Sequence, residues 1–365
     1  MKKNLFKILV TSSLSLFLLG SCGSSKADET SENVPSETPT ETSLEVTSED
    51  SEAEKVSADT VETQTVYVSP RWVQSVINGE VEESKDYVIL ECSWGEESDS
   101  PNYKSGHIQG SYHMNTDYIE EEKLWNVRTP EEVEKVLVDY GITKDTTLIT
   151  YGSNASDSAD DRVAFVALWA GVENVKSING GLEAWTNAGF ELEMDGNIPV
   201  ATESFGVDVP AHPEYIMTME ESKNRLENDN NFKLVSIRSE KEFLGEASGY
   251  SYIDKAGEPK GAIWGRDTDD GSYTDGNGKM ASIDVLENYL RESDATFDND
   301  LAFYCGTGWR ASIPFLMCYE KGMKNISLYD GGWYQWLIDA TNPVQLGDPS
   351  SDEVIYTTVG ELEVQ

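Results

Sequence analysis

Asn174-Val175-Lys176-Ser177-Ile178-Asn179-Gly180-Gly181-Leu182-Glu183-Ala184-Trp185 aligns without a gap on Asn325-Ile326-Ser327-Leu328-Tyr329-Asp330-Gly331-Gly332-Trp333-Tyr334-Gln335-Trp336. Each copy reads as a short strand, a pair of glycines and the start of a helix, so the chain contains an internal repeat. Gly110 and Gly261 pair at the same offset. Tyr87–Leu90 matches Phe232–Val235, and Thr147–Tyr151 matches Leu301–Tyr304, each a short apolar strand pattern. Helical patterns lie between them, Pro130–Leu137 in one half and Asp284–Leu290 in the other, with Pro130 and Asp284 at plausible starts. Strands alternating with helices predict an α/β fold in two tandem domains, each a central parallel sheet flanked by helices. The boundaries fall at 65–200 and 213–345, joined through Asp208-Val209-Pro210-Ala211. Beyond Asn342-Pro343 no period is visible.

The second repeat carries one stretch that the first lacks, Phe303-Tyr304-Cys305-Gly306-Thr307-Gly308-Trp309-Arg310-Ala311-Ser312. An apolar strand ends at a cysteine, two glycines follow, and a helical pattern begins at the arginine. Such a loop at a helix N-terminus gathers backbone N–H groups around an anion, or around a thiolate held as one. That environment lowers a cysteine's pKa and makes it a nucleophile. A buried cysteine at a strand end is otherwise only a small apolar residue; the six-residue loop closing on Arg310 favours chemistry. Gly306 and Gly308 are expected to permit positive φ and close backbone approach. Aligning Tyr151 with Tyr304 puts Gly152 where the second repeat has Cys305. The first-repeat loop, Gly152 to Arg162, is longer, acidic and free of cysteine, so it is expected to be structural and to close one wall of the site. Cys92 and Cys318 read as core residues.

Composition sets the outer limits. The 365 residues carry 67 Asp+Glu against 27 Lys+Arg, a formal charge of -40. That balance argues against nucleic acid and anionic membrane surfaces as partners, and leaves a small anion dependent on local positive groups. Four cysteines and three histidines fit neither a zinc pattern nor a disulfide scaffold. Met1–Lys7 is basic, Ile8–Leu19 is apolar, and Leu19-Gly20-Ser21-Cys22 closes the stretch with small residues before a cysteine. It resembles a bacterial lipoprotein signal peptide over 1–22, which implies a lipid-modified Cys22 and an extracytoplasmic protein anchored to the cell membrane. Residues 23–64 hold 12 acidic residues, two lysines and few large apolar residues, and are expected to form a disordered acidic Ser/Thr/Glu linker. The acidic segment Asp267–Gly278 does not keep the spacing of an EF-hand calcium loop and reads as a solvated insertion.

Taken together, residues Tyr67 to Pro343 resemble the tandem-domain sulfurtransferases of the rhodanese family. The resemblance rests on Cys305-Gly306-Thr307-Gly308-Trp309-Arg310, on the Gly-Gly-x-x-x-Trp endings of both repeats, on Gly106-His107-Ile108-Gln109-Gly110, and on Ser236-Ile237-Arg238-Ser239-Glu240-Lys241-Glu242-Phe243. It implies an inactive N-terminal domain and a catalytic C-terminal one. Cys305 would take a sulfur from thiosulfate, held as a persulfide under the N–H groups of Gly306, Thr307, Gly308, Trp309 and Arg310. A thiol or cyanide would then accept the sulfur, with no metal or organic cofactor. Arg310 would tie the loop down or fork onto the donor's oxygens. Arg266 and Lys260 are candidates for donor contact, and Arg238 is given mainly a structural role. Four residues between cysteine and arginine, against five in phosphatases of similar shape, favour sulfur over phosphate. Two departures stand out: Ser236 occupies a position where the family often has an acid, and the loop matches neither the thiosulfate nor the 3-mercaptopyruvate pattern fully. A thiosulfate sulfurtransferase is therefore the first expectation. A 3-mercaptopyruvate sulfurtransferase and a non-enzymatic sulfur carrier or binding module are the alternatives, and a phosphatase-like hydrolase is a third.

Overall fold

Strand and helix alternate through both halves of the chain, as the repeat predicts. The computed structural model describes residues 65–365; the stretches expected to form a signal peptide ending at a lipid-modified Cys22 and an acidic linker lie outside the described residues. The first repeat runs β1 (Tyr67–Val68), α1 (Pro70–Ile77), β2 (Tyr87–Ser93), α2 (Pro101–Lys104), β3 (Tyr112–Asn115), α3 (Pro130–Asp139), β4 (Thr147–Tyr151), α4 (Ala159–Ala170), β5 (Asn174–Ile178) and α5 (Gly181–Asn187). The second runs β6 (Ile216–Met217), α6 (Met219–Asn228), β7 (Phe232–Ser236), α7 (Glu240–Phe243), β8 (Glu258–Pro259), β9 (Ile263–Trp264), α8 (Asp284–Glu292), β10 (Asp300–Tyr304), α9 (Trp309–Glu320), β11 (Ile326–Tyr329) and α10 (Gly332–Trp336).

The two sheets have one topology, β1-β5-β4-β2-β3 and β6-β11-β10-β7-β9, and every pair in them is parallel. Tyr151 lies opposite Glu91 in the first sheet as Tyr304 lies opposite Ser236 in the second. Helix starts follow local chemistry. Thr129 before Pro130, Thr218 before Met219 and Ser239 before Glu240 each form a capping box with a glutamate three residues on.

Alternation along the strands sorts residues onto two covered faces, as a buried parallel sheet requires. In the first sheet Ile89, Ile149, Tyr151 and Ile178 pack with Trp72 and Trp185 on one face. Leu90, Cys92, Leu148 and Val175 face the other way, into a cluster that also holds Val235, Leu301, Phe303, Cys305 and Leu328 of the second sheet. That shared cluster is filled by α4 and α9, whose Phe165 and Phe315 meet edge-to-face with ring centroids 4.8 Å apart. The two repeats thus meet through one continuous core.

The stretch without a visible period is also ordered. β12 (Pro343–Leu346) and β13 (Ile355–Thr358) form an antiparallel three-stranded sheet with β8, so residue 345 falls inside a strand rather than after one. Four-residue strands give too few alternations to register as a pattern.

Candidate active site

Cys305 follows directly on β10, between β7 and β11 in the middle of its sheet, and is fully buried. Three residues on, the backbone N–H of Gly308 donates to Cys305 Sγ at 3.2 Å. Gly308 is the N-cap of α9 with φ 98°, a left-handed conformation that favours glycine, and it turns that N–H back toward the sulfur. Gly306 is needed for a different reason. A Cβ there would lie 2.2 Å from the Tyr250 ring, and its φ is not positive, so the expectation of two left-handed glycines is corrected to one.

The Gly-Gly-x-x-x-Trp motif serves the same loop. Gly332 opens α10 with φ 54°, and the next two N–H groups, of Trp333 and Tyr334, donate to the carbonyls of Cys305 (2.8 Å) and Gly306 (3.1 Å). Orphan donors at a helix start are thereby satisfied, and the cysteine loop is pinned from below. The first repeat does the same, with Leu182 and Glu183 donating to the carbonyls of Gly152 and Ser153.

Arg310 ties the loop down. Its guanidinium, almost wholly buried, reaches Glu242 (2.9 and 3.0 Å), Asp267 (2.9 Å) and the Tyr250 hydroxyl (2.7 Å). Burial alone would push Glu242 up, but hydrogen bonds from Arg310 and the charges of Arg238 and Arg310 outweigh it and hold the carboxyl at about 2. Asp267 is buried, so that end of the acidic segment is a structural partner and not a solvated insertion. Arg238 has the structural place expected of it, fully buried and donating to Glu242, Glu258 and the carbonyls of Gly257 and Ser248. Glu258, whose Oε1 also accepts from Ser236, brings from β8 a carboxyl beside Ser236; burial raises it to about 8 against the pull of Arg238.

Arg266 is not at the site. It pairs with Glu292, lies 3.9 Å over the Trp264 ring and borders a separate groove that includes Glu240 and Gln345. Lys260 rests over the ring of Tyr356, also away from the cysteine loop. A short segment after a strand does not reveal which way a side chain turns, and stacking on Trp264 decides it here.

What the sequence reading missed is the first repeat's direct grip on the loop. Arg162 of α4, fully buried, donates to Glu120 (2.7 Å), to Asp330 of the second repeat (2.6 Å) and to the carbonyl of Trp125 (3.3 Å). Burial opposes its charge, but Asp330 and Glu120 outweigh burial and keep it protonated. The Trp309 indole N–H also donates to Glu120, at 2.8 Å. Burial pushes Glu120 up to about 7, despite Arg162 and Trp309. No local pattern announces these partners; an arginine after two aspartates at the head of an apolar helical run was the available signal.

Above the loop opens a cleft of about 470 Å³ lined by Thr307, Trp309, Arg310, Tyr250 and Tyr252 from the second repeat, with Trp94, Trp125 and Ser158 from the first. The expectation that the first repeat closes one wall agrees with this lining. Cys92 and Cys318 are buried in the core; burial first, joined at Cys92 by Asp160 and Glu91, raises both thiols. Among the described residues no group of three or more His, Cys, Asp or Glu side chains is placed to hold a metal ion.

A buried cysteine under a backbone N–H, in a loop pinned by carbonyl contacts and a neutralised arginine, suits covalent capture of a soft atom. Comparison with known proteins agrees. The rhodanese-like domain matches twice, at residues 78–188 and 218–339. Thiosulfate sulfurtransferase YnjE of Escherichia coli (strain K12) is 38% identical over 294 residues, covering 78% of this chain, and the chain spans 66% of that relative's length. The crystal structure of YnjE superposes with a TM-score of 0.72 at 37% identity, over 77% of this chain and 68% of that one. EanB, solved in complex with hercynine, gives a TM-score of 0.72 at 34% identity, over 78% and 69% of the two chains. Sulfur carrier protein TtuD of Thermus thermophilus is 26% identical over 74% of this chain and 93% of its own.

Proposed function

Since the chain belongs to the rhodanese-like domain family, we propose that it is a sulfurtransferase of the thiosulfate type, working through a persulfide on Cys305. The observation that carries the proposal is the Gly308 N–H on Cys305 Sγ, in a loop whose other polar contacts hold it rigid. Cys305 thiolate attacks the outer sulfur of thiosulfate; the sulfur–sulfur bond of the donor breaks and sulfite leaves with its electron pair. The persulfide's outer sulfur is then attacked by cyanide or a thiolate, the Cys305–sulfur bond breaks, and the cysteine returns as thiolate. Gly306 to Arg310 form the cradle, and Arg310 acts by positioning that cradle, its guanidinium being shared among Glu242, Asp267 and Tyr250. The kinship with YnjE favours thiosulfate as donor.

The test is thiocyanate formation from thiosulfate and cyanide, with intact mass to follow sulfur on the protein. Cys305→Ser lowers turnover by at least about 10³-fold, while Cys92→Ser and Cys318→Ser keep it. Turnover unchanged in Cys305→Ser overturns the assignment, and faster turnover of 3-mercaptopyruvate than of thiosulfate moves the donor to that class. A sulfur that loads but stays on against every acceptor makes the protein a carrier instead. The sequence of residues 1–22 supports placement outside the cytoplasm, anchored through a lipid on Cys22. Labelling of the expressed chain with radioactive palmitate, abolished in Cys22→Ala, checks that location.

A further inference from the structure

The cleft over the cysteine loop is far larger than thiosulfate or cyanide requires, and its walls are mainly aromatic. Trp94, Trp125 and Trp309 face Tyr250 and Tyr252 around about 470 Å³. Trp94 is 64% exposed and Tyr252 47%, whereas Trp185, Trp333 and Trp336 of the core are sealed. Large aromatic surface left wet in one place marks a binding surface. The indole N–H of Trp94 donates to Asp117 (3.1 Å) and that of Trp309 to Glu120 (2.8 Å), so both N–H edges are already committed to carboxylates. A carboxylate on the N–H leaves the indole π face richer in electrons, and such faces attract cations.

The charges point the same way. Among the described residues lining the cleft the one cation is Arg310, and Glu242, Asp267 and the Tyr250 hydroxyl already share it. Asp269 lines the cleft with no cation paired to it among the described contacts. Enclosure first, then Asp267 and Glu242, push its carboxyl up to about 6 against the pull of Arg310, a cost that an incoming cation relieves.

We propose that this cleft is the acceptor subsite and that it selects an acceptor carrying an organic cation, of the quaternary ammonium kind. The word acceptor rests on the sulfurtransferase reading; the preference for a cation does not. A cationic thiolate seated there attacks the outer sulfur of the Cys305 persulfide. One sulfur–sulfur bond forms on the acceptor, the bond to Cys305 breaks, and the electron pair stays on Cys305 as thiolate. A soft cation suits rings and a single carboxylate, where a small hydrated one would have to shed its water.

Choline and its neutral isostere 3,3-dimethylbutan-1-ol are titrated into the full-length chain while tryptophan fluorescence is followed. Choline is expected to bind at least about tenfold tighter, the preference shrinking below about threefold in Asp269→Asn and in Trp94→Leu. Equal binding of the alcohol, or a preference that neither substitution moves, overturns the proposal. In a second arm the persulfide form is discharged with thiocholine or with 3-mercaptopropionate, and rates are compared per thiolate. Thiocholine is expected to be faster by at least about tenfold; an anionic thiol that matches it overturns the assignment as acceptor subsite. A chain that never takes up sulfur from thiosulfate sinks the sulfurtransferase reading alone, because the choline titration still decides the cation site.

Discussion

Gly152 and Cys305 follow equivalent strands, and the loops behind them are built on opposite charges. In the second repeat Arg310 is the second residue of α9 and a loop N–H points at sulfur. In the first, Asp160 is the second residue of α4, and the N–H of Ser153 donates to Asp157 at 2.8 Å. A side chain at Gly152 would meet Asp160 Oδ1 at 2.7 Å, in the space where the other repeat keeps its thiol. Both loops are nevertheless held from below by the same helix N-terminus, α5 or α10. One scaffold thus supports an anion cradle and its electrostatic inverse, and the difference lies in which group accepts the loop's N–H. The first repeat remains part of the site through its far side, where Arg162 and Glu120 brace the loop and Trp125 walls the cleft.

The comparison breaks most visibly at Arg162. Arg162→Met leaves Glu120 and Asp330 buried without their shared cation and is expected to cost about 3–5 kcal/mol of stability. A urea melt of the full-length chain measures it. A loss below about 1 kcal/mol means the two repeats do not depend on that clamp.

Acid separates the loops next. The Glu242 carboxyl is held at about 2, below the ordinary carboxylate value, so its contribution is complete above about pH 4.5 and fades as pH falls toward 2. The amount is on the order of 3 kcal/mol. Burial, joined by Asp161 and Asp157, raises Asp160 instead, so its protonated form is the favoured one and acid does not loosen it. Hydrogen-exchange protection factors, with the intrinsic pH dependence divided out, should therefore fall from pH 5 to pH 3 around residues 305–310 and hold at 152–162. An equal loss of protection in both loops contradicts the charge inversion.

The smallest contrast is between two glycines. Gly308→Ala forces a Cβ onto φ 98° and to 2.9 Å from Arg162 Nη1, and is expected to cost about 2 kcal/mol. Gly152→Ala meets the ends of two aspartate side chains that can shift, for under about 1 kcal/mol. Thermal melts of the pair decide whether backbone or packing dominates, and sulfur loading should suffer in the first alone.

How much of this was legible in the chain follows from distance in sequence. Strand alternation, the glycine pairs and the cysteine loop are local patterns, and they carried the two parallel sheets and the position of Cys305. Arg310 was legible as a residue but its role was not, because Glu242 and Asp267 are 68 and 43 residues away. The partnership of Arg162 with Asp330 spans 168 residues and crosses from one repeat to the other, where no period can report it. The aromatic cleft draws Trp94, Trp125, and the pair Tyr250 and Tyr252 from three separate loops, each unremarkable alone. Arg266 failed for a different reason: the need for local positive groups in so acidic a chain suggested it, and stacking on Trp264 turned it away.

Helices α4 and α9 share one apolar core, with Phe165 against Phe315 and Cys305 itself in the same cluster. An enzyme built this way has no smaller version of itself. Cutting out the copy that bears the cysteine would expose the face of α9 to water and remove Arg162 from beneath the loop. The first repeat thus serves as foundation for the second: a substitution that loosens α4 disturbs the packing around a cysteine that lies in the other copy.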